Sequence, residues 1–332
     1  MTRATTLRLA LPLGAALLLA GCGGGPAASL QPNSPAPTAT ATTPAAAAPS
    51  KPAAAGPVAP LTGLPVAATV SARPAIAVRL PVNGATGLEQ ADLVYEEWET
   101  AYLPRALAIF QSRDVAEIGP VGRVRPADPF VLPSLRPLYA NVGGASGTEG
   151  LLRAAGITQV TSSAAFTSGA GGRTTSTAAV LAAAPAGAKP PQPVLPIAAA
   201  GDAFSTSRLG KAATITVTPP GSAAETWTYS AAAKRWSRAG SPGVSVANLI
   251  LQTVPYKQVR LRDPDRMALS ARVLGRGTCT AVSGGATTPC SWYKRSATAV
   301  TGYVDAAAKP LRFAPGPTWI LLLPPGSKIA AR

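Results

Sequence analysis

Asp92, Glu96, Glu97 and Glu99 form the densest run of acid in a chain of 332 residues that carries 30 Lys and Arg against 14 Asp and Glu. On a strand, a period of two places Glu97 and Glu99 on one face and Glu96 on the other. Carboxylates on facing elements, ~5–9.5 Å apart, act as acid and base on a glycan. Asp92, Glu96 and Glu97 are therefore the candidate catalytic residues of a cell-wall-directed hydrolase. The same acids also suit ion pairs with Arg79 or Arg105, a structural use that clusters charge in the same way.

Arg123 and Arg125 follow a Gly-Pro turn at Gly119-Pro120. Paired guanidiniums grip a carboxylate or phosphate, so these two are candidate ligand-binding residues. Salt bridges from them to the acidic run would account for both groups at once. A third candidate is Gly143-Gly144-Ala145-Ser146-Gly147, between a strand and a helix. Backbone N–H groups at such a helix start bind anions, which makes Gly143, Gly144 and Ser146 candidate ligand contacts. The segment lacks the Lys-Ser/Thr ending of a P-loop and the last Gly of a nucleophile elbow. Its other use is a tight turn with Ser146 or Thr148 as N-cap. The chain has no His. That removes Ser-His-Asp triads, Cys-His pairs and His-ligated metals, and no metal or cofactor is expected.

These residues need elements to hold them. Residues 74–79, 93–99, 105–111 and 138–142 read as strands, the second and third as a hairpin. Residues 148–155 and 177–184 read as helices. Further along, 214–218 and 225–229 alternate with period two, and 246–254, 268–274, 291–295 and 318–323 read as strands. Helix signals are nearly absent there, so the second half is expected to be mostly antiparallel sheet.

The first 21 residues read as a lipoprotein signal peptide: Arg3 and Arg8, then an apolar run too short to span a bilayer. It ends in Leu19-Ala20-Gly21-Cys22, a lipobox that makes Cys22 the lipidated residue. Residues 22–60 are Pro-, Ala- and Thr-rich, without acid or aromatic side chains, and read as a disordered tether of semi-stiff polyproline II. Cys279 and Cys290 remain as a pair flanking what reads as a loop. In an oxidising compartment they form a disulfide that contributes about 3 kcal/mol in the chain-entropy model.

The ordered region resembles the YerB-like bacterial lipoprotein family, domains of unknown function. The marks are Pro60-Leu-Thr-Gly-Leu-Pro65, Arg73-Pro-Ala-Ile-Ala-Val-Arg79, Gly87-Leu-Glu-Gln-Ala-Asp-Leu-Val-Tyr-Glu-Glu97, Ile118-Gly-Pro-Val121, Arg125-Pro-Ala-Asp128 and Gly143-Gly-Ala-Ser146. The resemblance covers roughly residues 60–325. It implies a layered α/β (α+β) fold, a sheet-sheet-helix sandwich. The α/β N-terminal domain spans 61–200 and the β-rich C-terminal domain 213–325. Leu80-Pro81-Val82 stands where members usually carry Asp-Asn, and Gly122 where they carry Arg. The usual Pro-His-Asn is missing near Gly172-Arg173-Thr174, which marks a divergent member. The family implies no established reaction.

The expected protein is thus an extracytoplasmic module, lipid-anchored to the outer face of the bacterial cell membrane. It is expected to be non-enzymatic and to bind an anionic cell-wall polymer or another envelope protein. The formal net charge of +16 is spread without a basic run, and nucleic acid is not an expected partner.

Overall fold

The computed structural model describes residues 56–100, 103–198, 204, 210–260 and 267–332. The signal peptide, Cys22 and the tether up to residue 55 lie outside the described residues. Order begins earlier than the expected residue 61. Val58 bridges to Pro65, and Ala59 is fully buried.

The first half contributes the short helix α1 (Ala68–Ala72), strands β1 (Ile76–Pro81), β2 (Leu93–Thr100) and β3 (Leu103–Phe110), then α2 (Asp128–Val131), β4 (Leu138–Ala140), α3 (Ser146–Ala154) and β5 (Thr158–Val160). A small hairpin, β6 (Thr167–Gly169) and β7 (Gly172–Thr174), precedes α4 (Thr177–Leu181). Among the described residues no helix follows α4. The second half runs through β8 (Gly210–Lys211), β9 (Thr214–Thr218), β10 (Glu225–Ser230), β11 (Arg235–Arg238), β12 (Ser245–Val246), β13 (Asn248–Thr253), β14 (Tyr256–Arg260) and β15 (Met267–Ala271). It ends with β16 (Gly275–Ser283), β17 (Ala286–Lys294), β18 (Gly302–Val304), β19 (Thr318–Leu323) and β20 (Lys328–Ala331).

One sheet carries both halves, in the order β18-β17-β16-β13-β19-β2-β3-β1-β4-β5, with β8 paired to β17. The join is β19, which pairs in parallel with β13 on one side and β2 on the other. The second half is therefore antiparallel except at this strand. The physical reason is the run Thr-Trp-Ile-Leu-Leu-Leu, buried at all six positions as a strand covered on both faces must be. A second, wholly antiparallel sheet, β12-β11-β10-β9-β20, covers part of one face. Trp227 of β10 meets Trp319 of β19 edge to face at 5.3 Å between ring centres. Val94, Trp98, Leu249 and Leu321 share that core with Ile215, Val217 and Trp236. On the opposite face Leu107, Ile109, Ile250 and Ile320 pack with Val131 of α2, Leu152 of α3 and Ala271 of β15. The architecture is a layered α+β sandwich of sheet, sheet and helices, as the family resemblance implies.

Three expectations are corrected. The segment between Cys279 and Cys290 is not a loop but the turn end of the β16–β17 hairpin. Cys279 and Cys290 lie directly opposite, Cα atoms 4.8 Å apart, and are joined by a disulfide. Gly284 and Gly285, both with positive φ, make the two-residue turn that such a hairpin requires. The last strand, β20, lies beyond the expected end at residue 325; pairing with β9, rather than any alternation of its own, makes it a strand. The helix after β4 is capped by Ala145, with no side-chain bond, and Ser146 is its first residue.

Candidate functional site

Strand β1 reads Ile-Ala-Val-Arg-Leu-Pro, and its one charge, Arg79, is almost fully buried. A buried guanidinium must find carboxylates. Register and topology supply two. Glu97 of β2 lies 2.6 Å from Arg79 Nη2. Asp128, opening α2, accepts from Arg79 Nε at 3.0 Å and also from Nη2. The other oxygen of Asp128 accepts from the Tyr139 hydroxyl at 2.6 Å and from the Arg125 backbone N–H at 2.7 Å. Burial opposes the charge on Arg79, but Asp128 and Glu97 outweigh it and hold the guanidinium above its ordinary value. Burial pushes the Glu97 carboxyl up to about 7, against the pull of Arg79.

Around this buried group lies a cleft of about 250 Å3, at the C-terminal ends of the parallel strands β1 and β4. Arg79, Arg105, Arg123 and Arg125 line it, with Pro81, Pro120, Gly122 and Val142. Arg105 Nε and Arg125 Nη2 bind Glu99 at 3.2 and 2.8 Å. Burial pushes Glu99 up, but Arg125 and Arg105 hold it below the usual range. Arg123 is exposed and forms no ion pair with a described residue. Arg79 Nη1, although buried, has no hydrogen-bond partner among the described residues, and neither has Arg125 Nε. Four guanidiniums thus face three carboxylates, and donors remain free. Gly122 makes room for this: its N–H binds the Arg79 carbonyl at 2.7 Å, and a Cβ would stand 3.0 Å from that oxygen.

Glu96 occupies the other face of β2, as the period of two requires. Its Oε2 accepts from the Trp319 indole at 2.8 Å, and Arg238 Nη2 stands 3.6 Å from Oε1. Arg238 also holds Glu225 at 3.1 Å. Burial, and then the neighbouring charge of Glu225, pushes the Glu96 carboxyl well above the usual range. Glu96 Oε1 has no hydrogen-bond partner among the described residues.

Asp92 belongs to neither group. It accepts from the backbone N–H groups of Gln111 and Ser112 at 2.6 and 2.7 Å, and from the Ser112 hydroxyl, fixing the end of β3. The three candidate acids therefore lie in three places. Glu96 and Glu97 are buried on opposite faces and paired to arginines, which is the structural use of these acids.

The glycine loop is tied to its neighbours by close contacts. The Gly143 N–H is taken by the Asn141 side chain at 3.0 Å. The Gly143 carbonyl accepts from Val124, and a Cβ on Gly144 would stand 2.2 Å from the Val124 side chain. The glycines let β4 and residue 124 approach; only the preceding Val142 lines the cleft. Sequence reasoning passed over Asp128, Tyr139, Glu225 and Arg238. The lone Arg79 in an apolar strand was the signal that a buried acid must lie near.

Two packed sheets, a helical layer and a basic cleft at strand ends define a two-part α+β protein. The chain belongs to the DUF3048 family. Residues 61–182 match the "protein of unknown function (DUF3048) N-terminal domain" and residues 215–320 its C-terminal domain. The fold is similar to the crystal structure of the YerB protein from Bacillus subtilis, with a TM-score of 0.68 at 20% identity. The similarity covers 82% of this chain and 99% of that one. No curated protein matches the sequence.

Proposed function

We propose that this protein is a non-enzymatic binding module, lipid-anchored through Cys22 at the outer face of the bacterial membrane. In this reading it binds an anionic cell-wall polymer through the arginine-lined cleft. One observation carries the proposal. Arg79, Arg105, Arg123 and Arg125 converge on one small cleft with donors still unused. Guanidiniums bind phosphate and carboxylate groups in this way. The lipobox at Leu19-Ala20-Gly21-Cys22 and the acid-free tether support the address.

The test is salt-dependent binding of the purified chain to isolated teichoic acid and to uncharged peptidoglycan fragments. Saturable binding to the anionic polymer that weakens with salt, and weakens again in Arg123→Glu, is the expected result. Equal binding of both polymers, or none, would remove the proposal. Membrane retention that persists in Cys22→Ala would remove the anchoring part.

A further inference from the structure

A second and larger depression lies between α3 and the β14–β15 hairpin, with a volume of about 700 Å3. Its character is different from that of the arginine-lined cleft. From the helical side come Phe130 of α2 and Leu151 of α3, and from the hairpin side Leu274 beyond β15. These side chains are 37%, 53% and 39% exposed. The hairpin side also carries Lys257, Arg260 and Arg272. Lys257 pairs with Ser270 across the hairpin, so Arg272, two residues on, shares its face. Among the described residues no carboxylate lines the groove, and none of the three cations forms an ion pair. In the smaller cleft, by contrast, Glu97, Asp128 and Glu99 answer most of the charge.

We infer that this groove binds a single long-chain amphiphile with an anionic head, an alkyl phosphate or carboxylate. The chain lies against Phe130, Leu151 and Leu274, and the head sits among Lys257, Arg260 and Arg272. The volume falls within the roughly 300–1,000 Å3 usual for small-ligand sites that are mostly apolar with a few placed charges. Apolar and cationic side chains lining one groove match the two ends of such a molecule. The chain's own tether is a poor occupant: residues 23–60 hold no acid to meet three cations. The inference is independent of the cleft proposed above, because none of the residues lining one lines the other.

The test is calorimetric titration of dodecyl phosphate, below its micelle concentration, into the full chain carrying Cys22→Ser. The amino-terminal segment is then common to every variant and cancels in comparison. One-to-one saturable binding is expected, with octyl phosphate and a neutral-headed dodecyl ligand each about tenfold weaker or more. Lys257→Glu with Arg272→Glu, and separately Leu151→Asp, should each weaken binding by about tenfold or more. Arg123→Glu, in the other cleft, should leave it unchanged. All four side chains are surface positions of the groove or cleft, and unchanged urea unfolding confirms that the variants fold. Competition by phosphatidylglycerol vesicles would make the bilayer the source, and no competition would make it a free amphiphile. The inference is overturned if dodecyl phosphate does not bind one to one, or if the groove variants bind it as the parent does. It is also overturned if only vesicles bind, or if an acidic apolar peptide binds where dodecyl phosphate fails.

Discussion

The two faces of β2 hold the same arrangement twice. On one, Arg79 sits between Glu97 and Asp128; on the other, Arg238 sits between Glu96 and Glu225. Each is one guanidinium with two carboxylates, and each therefore has a negative charge left over. On both faces burial raises one carboxyl, Glu96 well above the usual range and Glu97 to about 7. The surroundings differ. Glu96 lies under the second sheet, closed by Trp227 and Trp319. At the cleft, Tyr139, the Arg125 backbone and two further arginines around Glu99 surround the acids, and cationic donors are left over. The open face thus carries added cations, and those cations make the cleft receptive to an anion.

The strongest way to break this comparison is to remove each central guanidinium. Arg79→Met strands two buried carboxylates and should cost about 3–5 kcal/mol in urea unfolding at neutral pH. Arg238→Met should cost less, about 1–3 kcal/mol, because burial and Glu225 already push Glu96 toward its neutral form. Equal losses would mean that the two faces do not differ as described.

The pH dependence sharpens the same contrast. Glu96 and Glu97 are raised above the ordinary value of 4.5, Glu97 to about 7. The folded chain then holds protons that the unfolded chain has released. Their contribution to stability is full below 4.5, falls as pH rises through about 7, and is flat above each folded value. Glu99 acts in the opposite sense: its lowered value gives stability that is lost as pH falls through it. Glu96→Gln should flatten the fall between about pH 5 and the folded value of Glu96, measured as unfolding free energy across pH. An unchanged slope would mean that Glu96 is not raised in the folded chain. Gly122→Ala is a smaller probe. The added methyl crowds the Arg79 carbonyl and should cost about 1–2 kcal/mol. The smallest effect belongs to Arg123→Glu, within about 0.5 kcal/mol in stability, with polymer binding weakened nonetheless.

The contrast between faces was half legible. Period two in Leu-Val-Tyr-Glu-Glu-Trp-Glu separates Glu96 from Glu97 without any structure. Arg79 and Arg105 were readable as partners, because a charge in an apolar strand needs one. Glu225 and Arg238 were not, since nothing local in residues 225–238 points to a strand more than a hundred positions earlier. The same limit hid the middle of the sheet. Thr318–Leu323 announces a buried strand but not its neighbours. The Gly284-Gly285 turn was available as a hairpin signal and was obscured by reading the small residues between two cysteines as a loop. Strand β20 carries no alternation and is defined by its pairing with β9 alone.

The position of β19 has a consequence for synthesis. Among the described residues it is made after every other strand of its sheet, yet it fills the slot between β2 and β13. Until residue 323 has emerged, each half presents one bare, unpaired strand edge, of the kind that invites mispairing. The sheet is locked last, from its middle. A nascent chain of this topology stays divisible until Thr318–Leu323 are made, and a premature stop before Thr318 leaves the large sheet in two pieces rather than a shortened one.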